Sequence, residues 1–246
     1  MTRIADYRDQ LRRLANWDDY LLANSGLPGP RGNLELAQAA AEEGNQERFE
    51  SWLAYTPELA PVNDPHEFLA FCGVLGLGRL VADGQVDLID RLRPFASDPR
   101  WRIREAVAMA LQLVGDRNPT LWLETAGEWA QGSWLEERAA VAALAEPRLL
   151  KSPQVIPAVL QIFDQITASL LDASDRKAED FRILRQALGY GWSVVVVADP
   201  PAGKPRIERW FEVDDPDIQW VMRENLKKNR LKRMDPEWVD RWSEPR

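Results

Sequence analysis

The chain has 246 residues, 45% of them hydrophobic and 28% charged, which is the composition of an ordinary globular protein. A single cysteine, Cys72, and a single histidine, His66, exclude a disulfide framework, a multi-thiolate metal site and a two-histidine zinc motif. The formal charge of −8 opposes a surface coated in nucleic acid, and the longest nearly apolar stretch, 68–78, is too short to span a bilayer.

Taken in order, the pattern predicts a helix over 4–23, then a Gly- and Pro-rich loop over 25–33. Helices follow over 34–43, 46–55, 66–82, 86–95, 99–114, 119–131, 134–145, 153–172 and 176–198. After a loop at 199–205 come helices over 205–212, 216–231 and 236–242. Many starts carry one signature, a capping residue followed by proline: Asp64-Pro65, Asp98-Pro99, Asn118-Pro119, Ser152-Pro153, Asp215-Pro216 and Asp235-Pro236. The side chain accepts from an orphan N–H of the first turn, while proline gives up a donor that had no partner. Ser133 and Glu136 add a capping box. Gly44, Gly84, Gly115 and Gly132 stand where a left-handed residue would end a helix. No segment alternates as a strand; Val194–Val197, beside Trp192, reads as the buried end of a helix. The expected class is therefore all-α.

The starts are also evenly spaced. Asp64 to Asp98 is 34 residues and Asn118 to Ser152 is again 34, enough for two helices and two turns. Within this spacing, Asp98-Pro-Arg-Trp101-Arg-Ile-Arg104-Glu105 matches Asp217-Ile-Gln-Trp220-Val-Met-Arg223-Glu224 as Asp-x-x-Trp-x-x-Arg-Glu. The pattern resembles the HEAT repeat, in which an Asp and an Arg six residues later form a ladder between units. The resemblance covers 96–116 and 213–231 and, in helical outline, 34–95 and 133–198. It implies a superhelical solenoid of about six antiparallel helix pairs forming one domain over 1–246. Within it, 1–33 would be an N-terminal helix and loop, 34–198 the repeats, and 199–246 a last repeat with a basic helix.

At about 100° per residue, Ile103, Val107, Ala110 and Val114 share one stripe, with Trp101, Arg104, Glu105, Ala108 and Gln112 opposite. Likewise Ile218, Val221, Met222 and Leu226 face away from Trp220, Arg223, Glu224, Lys227 and Arg230. On one reading the tryptophans pack on a neighbouring repeat and Arg104 and Arg223 serve the ladder. On the other, these side chains line a concave surface and bind a protein or peptide, since Trp and Arg are enriched at binding hot spots.

The Trp-bearing helices are also similar to those of the HEAT-like-repeat DNA glycosylases that excise alkylated purines. That family places a Trp and an Asp four residues apart and an Arg on the DNA backbone. The resemblance maps these roles onto Trp101 with Glu105 or Trp220 with Glu224, and onto Arg138 or Arg223, with Glu standing where the family has Asp. A carboxylate there would stabilise the cationic sugar as the base leaves. The segment Arg223–Arg233 holds six basic residues against Glu224 alone, a local +5 in a chain otherwise at −13. It is either a solvated helix end or a patch for nucleic acid or an acidic peptide.

His66 is expected in an exposed first turn and Cys72 in the core; neither nominates chemistry. The sequence thus predicts a non-enzymatic scaffold for a protein or peptide, with no cofactor, metal or membrane partner. Its alternative is a DNA-binding relative of the glycosylases. The single cysteine and an N-terminus without the apolar core of a secretory signal lead us to expect a cytoplasmic location.

Overall fold

The computed structural model describes residues 3–243. The protein is all-α: fourteen α-helices and three 3-10 helices, with no strand among the described residues. Its contacts gather into two compact units, Met1–Asn118 and Pro119–Arg246.

The first unit contains α1 (Arg3–Arg13), α2 (Asp18–Asn24), α3 (Leu34–Glu43), α4 (Gln46–Leu53), α5 (Glu67–Ala82), a 3-10 helix (Val86–Ser97) and α6 (Trp101–Arg117). Its centre is α5, which packs against α2, α3, α4, α6 and the 3-10 helix. The reason is compositional. The run Phe68-Leu-Ala-Phe-Cys-Gly-Val-Leu is apolar on every side, and fourteen of the helix's sixteen residues are buried. Close approach needs glycine here, since a Cβ on Gly76 would lie 2.4 Å from the Phe49 ring.

The second unit contains α7 (Pro119–Trp129), α8 (Trp134–Leu144), α9 (Ile156–Ser169), α10 (Glu179–Ala198), α11 (Pro200–Phe211), α12 (Pro216–Leu226), α13 (Asn229–Met234) and α14 (Pro236–Ser243). Short 3-10 turns at Leu149–Lys151 and Leu170–Asp172 flank α9. Here α10 is the centre, touching α8, α9, α11, α12 and α13. The Val194–Val196 run is buried within this helix and forms no strand. No helix among the described residues is long and apolar enough to cross a membrane.

Some of the start signals operate as their chemistry dictates. Asp215 and Asp235 cap their helices by accepting from backbone N–H groups two or three residues on. Asp64 and Asp98 accept from the His66 and Arg100 N–H groups in turns just ahead of α5 and α6, whose own cap positions carry no side-chain cap. Ser133 and Glu136 complete the capping box, and each such cap is worth about 1 kcal/mol. Several boundaries differ from expectation. The helix expected over 4–23 breaks after Arg13, where Asn16 Oδ1 accepts from the Asp18 N–H at 3.1 Å in a tight turn. The segment 86–95 is a 3-10 helix, and Pro94, which has no N–H to donate, stands inside it. The loop expected at 199–205 is the first half of α11, because Asp199 caps the Ala202 N–H over a Pro200-Pro201 start. The helix expected over 216–231 divides at Lys227 into α12 and α13. Ser152 caps nothing; its hydroxyl bonds the Gln154 side chain, and α9 begins at Ile156. Of the four glycine stops only Gly84, at φ 110°, is left-handed.

Candidate functional site

In the first unit, two helices and a loop enclose a cavity of about 280 Å³. Phe68 and Phe71 of α5 stand one turn apart and their rings lie parallel, with centroids 6.4 Å apart. Trp101 and Glu105, four residues apart on α6, face the same space, which Arg31 and Gly32 of the loop before α3 and Leu34 at the head of that helix close. Both phenylalanines are buried, whereas Trp101 is 45% exposed. That exposure places Trp101 at the rim.

Beneath the rim lies a buried ion pair. The Arg102 guanidinium sits 4.3 Å from the Trp101 ring centroid and donates to Glu67 Oε2 at 3.1 Å. Its other terminal nitrogen donates to the Gly29 carbonyl at 2.6 Å and to Asn63 Oδ1 at 3.0 Å. Asn63 has φ 71°, a left-handed conformation that Asn tolerates, and its own N–H donates to Glu67 Oε2 at 2.9 Å. Glu67 is fully buried and Arg102 is 5% exposed. Glu67 Oε1 and Arg102 Nε have no hydrogen-bond partner among the described residues. The pair therefore neutralises its own charge and holds the loop at 29, the segment at 63 and the start of α6 together.

Arg104 does not bond the Asp98 carboxylate. It donates to the backbone carbonyls of Asp98 and Pro99, at 2.7 and 3.1 Å, while the Asp98 carboxylate is taken by Arg100 at 2.7 and 2.9 Å. Arg100 is buried and also donates to the carbonyls of Tyr55 and Ala60, which ties the loop after α4 to the head of α6.

The second Asp-x-x-Trp-x-x-Arg-Glu segment, on α12, meets different surroundings. Trp220 and Glu224 pack on Gly189 of α10, where an added Cβ would lie 3.2 Å from each. Arg185 covers the Trp220 ring at 4.4 Å and pairs with Asp217, which also pairs with Arg176 at 3.0 Å. Asp217 thus receives arginines from α10 and from the segment before it. Arg223 is exposed and has no ion pair among the described residues. Glu224 pairs with the exposed Lys227. Arg230, on α13, stacks at 4.5 Å on Tyr190 and donates to its hydroxyl, with Lys228 Nζ 5.9 Å from the same ring. The basic stretch is therefore two short pieces folded around an exposed tyrosine, with no single charged helix face.

Arg138 lies half-buried on α8, next to Glu137. Glu137 is 4% exposed and accepts from the Ser169 hydroxyl at 2.9 Å. Burial pushes its carboxyl up to about 7, against the lowering effect of that hydrogen bond. His66 is half-exposed, with Nδ1 2.9 Å from Asp64 Oδ1 and its ring 5.1 Å from that of Tyr55. Cys72 is buried in α5, and burial pushes its thiol up. No cluster of His, Cys, Asp or Glu arranged to hold a metal ion occurs among the described residues.

Of the sequence candidates, Trp101 and Glu105 come together on one cavity, and Arg230 lines another. Four of the first cavity's other walls, Arg31, Phe68, Phe71 and Arg102, were not foreseen as site residues. Phe68 and Phe71 read as core, and nothing local says that their outer edges face a void. Compared with known proteins, the chain matches no family model, no curated protein and no solved structure.

Proposed function

We propose that the protein is a non-enzymatic binding protein of HEAT-like helix pairs, and that its site is the Trp101 cavity, which takes up an apolar side chain of a protein or peptide. One observation carries this: a 45% exposed tryptophan rims an apolar cavity of about 280 Å³ whose buried charge is already neutralised. Filling it would remove Trp101 and the edges of Phe68 and Phe71 from water, at about 25 cal/mol per Å². The HEAT-like assignment draws support from the two Asp-x-x-Trp-x-x-Arg-Glu helices, each packed on the central helix of its own unit.

The test is calorimetric titration with capped pentapeptides bearing Trp, Phe, Leu or Ala at the centre. The expected order is Trp and Phe above Leu, with Ala silent, and a loss of at least about tenfold in Trp101→Ala. Peptide binding that ignores the central residue, or survives Trp101→Ala unchanged, would overturn the proposal.

A second reading, base excision, is favoured by one feature, the shared cavity of Trp101 and Glu105. The first unit, with 13 basic and 18 acidic residues, opposes it, because duplex binding needs phosphate neutralisation. Release of an alkylated purine from duplex DNA by the wild type, and not by Glu105→Gln, would place this reading first.

A further inference from the structure

The Trp101 cavity has a polar neighbour. A second cavity, of about 480 Å³, is lined by Arg3, Tyr7, Asn24, Asn33 and Glu35, and shares Arg31 and Gly32 with the first. An apolar chamber and a polar one thus meet at one arginine. The first is smaller than the roughly 300–1,000 Å³ typical of drug-sized sites, and suits a single ring-bearing side chain.

Charge decides what lies beside that ring. Arg102 is neutralised by Glu67, and Glu105 already has an interaction of its own. Arg31 is exposed and has no hydrogen bond or ion pair among the described residues, and Arg3 is engaged only with the Tyr7 ring, at 5.7 Å. Glu35 opposes these two cations. The first turn of α3 adds to them: Asn33 caps the Leu36 N–H, leaving the earlier N–H groups of that turn beside the two chambers.

We infer that the two chambers form one site for the C-terminal residue of a peptide, its aromatic side chain among Phe68, Phe71 and Trp101 and its carboxylate on Arg31. This rests on the binding proposal above and narrows it from any apolar side chain to a chain terminus. A guanidinium pairs with a carboxylate through two parallel hydrogen bonds, so an amidated terminus loses both charge and geometry.

The experiment compares Ac-Ala-Ala-Ala-Phe with a free carboxylate, the same peptide amidated, and 3-phenylpropionate, by calorimetry on the whole chain. The free acid binds at least tenfold tighter than the amide. In Arg31→Gln, an exposed substitution that leaves the fold intact, the difference falls below twofold. High salt narrows it in the wild type. Equal binding of acid and amide overturns the inference and leaves the broader proposal standing. Phenylpropionate matching the acid peptide overturns it in favour of a small aromatic acid, and no binding by either peptide removes both proposals.

Discussion

Trp101 and Trp220 occupy the same place in the same local pattern, each three residues after an aspartate and four before a glutamate. Each also carries an arginine on its ring, Arg102 at 4.3 Å and Arg185 at 4.4 Å. They differ in what the facing helix offers. Against Trp220, α10 presents Gly189, and the indole and Glu224 settle onto the bare backbone. Near Trp101, α5 presents Phe68 and Phe71, and their rings line a void with it. With a small residue on the opposing helix the motif packs, and with two large rings there a cavity lies beside it. The ion pairs diverge in the same way. Glu67 is fully buried with Arg102, whereas Asp217 shares Arg176 and Arg185 nearer the surface.

The largest effect follows from that burial. Arg102→Ala strands a fully buried Glu67 charge and should cost about 3–5 kcal/mol. Arg185→Ala leaves Asp217 with Arg176 and should cost about 1 kcal/mol. Urea denaturation of the two variants measures both, and equal losses would erase the distinction between the units.

Next comes pH, which separates two buried glutamates. Glu67 has a guanidinium partner; Glu137 has only a hydroxyl. With its folded value raised to about 7 against about 4.3 unfolded, Glu137 binds its proton more tightly in the folded protein. The associated stability is complete below about pH 4 and is lost as pH rises through about 7, roughly 3–4 kcal/mol in all. Glu137→Gln should remove this share of the fall, seen by comparing urea midpoints at pH 5 and pH 8.

Gly189→Ala probes the packing directly. Its Cβ would meet Trp220 and Glu224 at 3.2 Å, so both must give by a few tenths of an ångström, a cost set against the roughly 0.5–1 kcal/mol that alanine gains over glycine inside a helix. Acrylamide should then quench Trp220 fluorescence more readily. The smallest contrast lies between two motif cations. Arg104→Ala loses two hydrogen bonds to carbonyls and should lower stability by about 1 kcal/mol, while Lys227→Ala, on an exposed ion pair, should cost less than about 0.5. Equal melting temperatures would show that Arg104 does no more than a solvated lysine.

What could be read from the chain was what neighbours in sequence decide. Asp215 and Asp235 cap because a side chain reaches a backbone N–H two or three residues away, whatever the rest does. Asp199 obeys the same rule, but Gly203 and Pro205 obscured it; α11 tolerates Gly203 because its bare backbone lies against Val196. The breaks at Asn16 and Lys227 interrupt patterns whose apolar period continues, so periodicity alone runs through them. The site was half legible: Trp101 and Glu105 share a helix face by spacing, whereas Phe68, Arg31 and Glu67 join them only through tertiary packing. The same limit hid which tryptophan would be open, since Gly189 lies 31 residues before Trp220.

The most direct test is the indole region of a ¹H–¹⁵N spectrum, in which eleven tryptophans report separately and Trp101→Phe and Trp220→Phe assign the two that matter. On titration with the capped Phe-centred pentapeptide, the Trp101 signal should shift saturably while that of Trp220 stays in place. Movement of Trp220 with Trp101 unmoved, or of neither, would contradict the account.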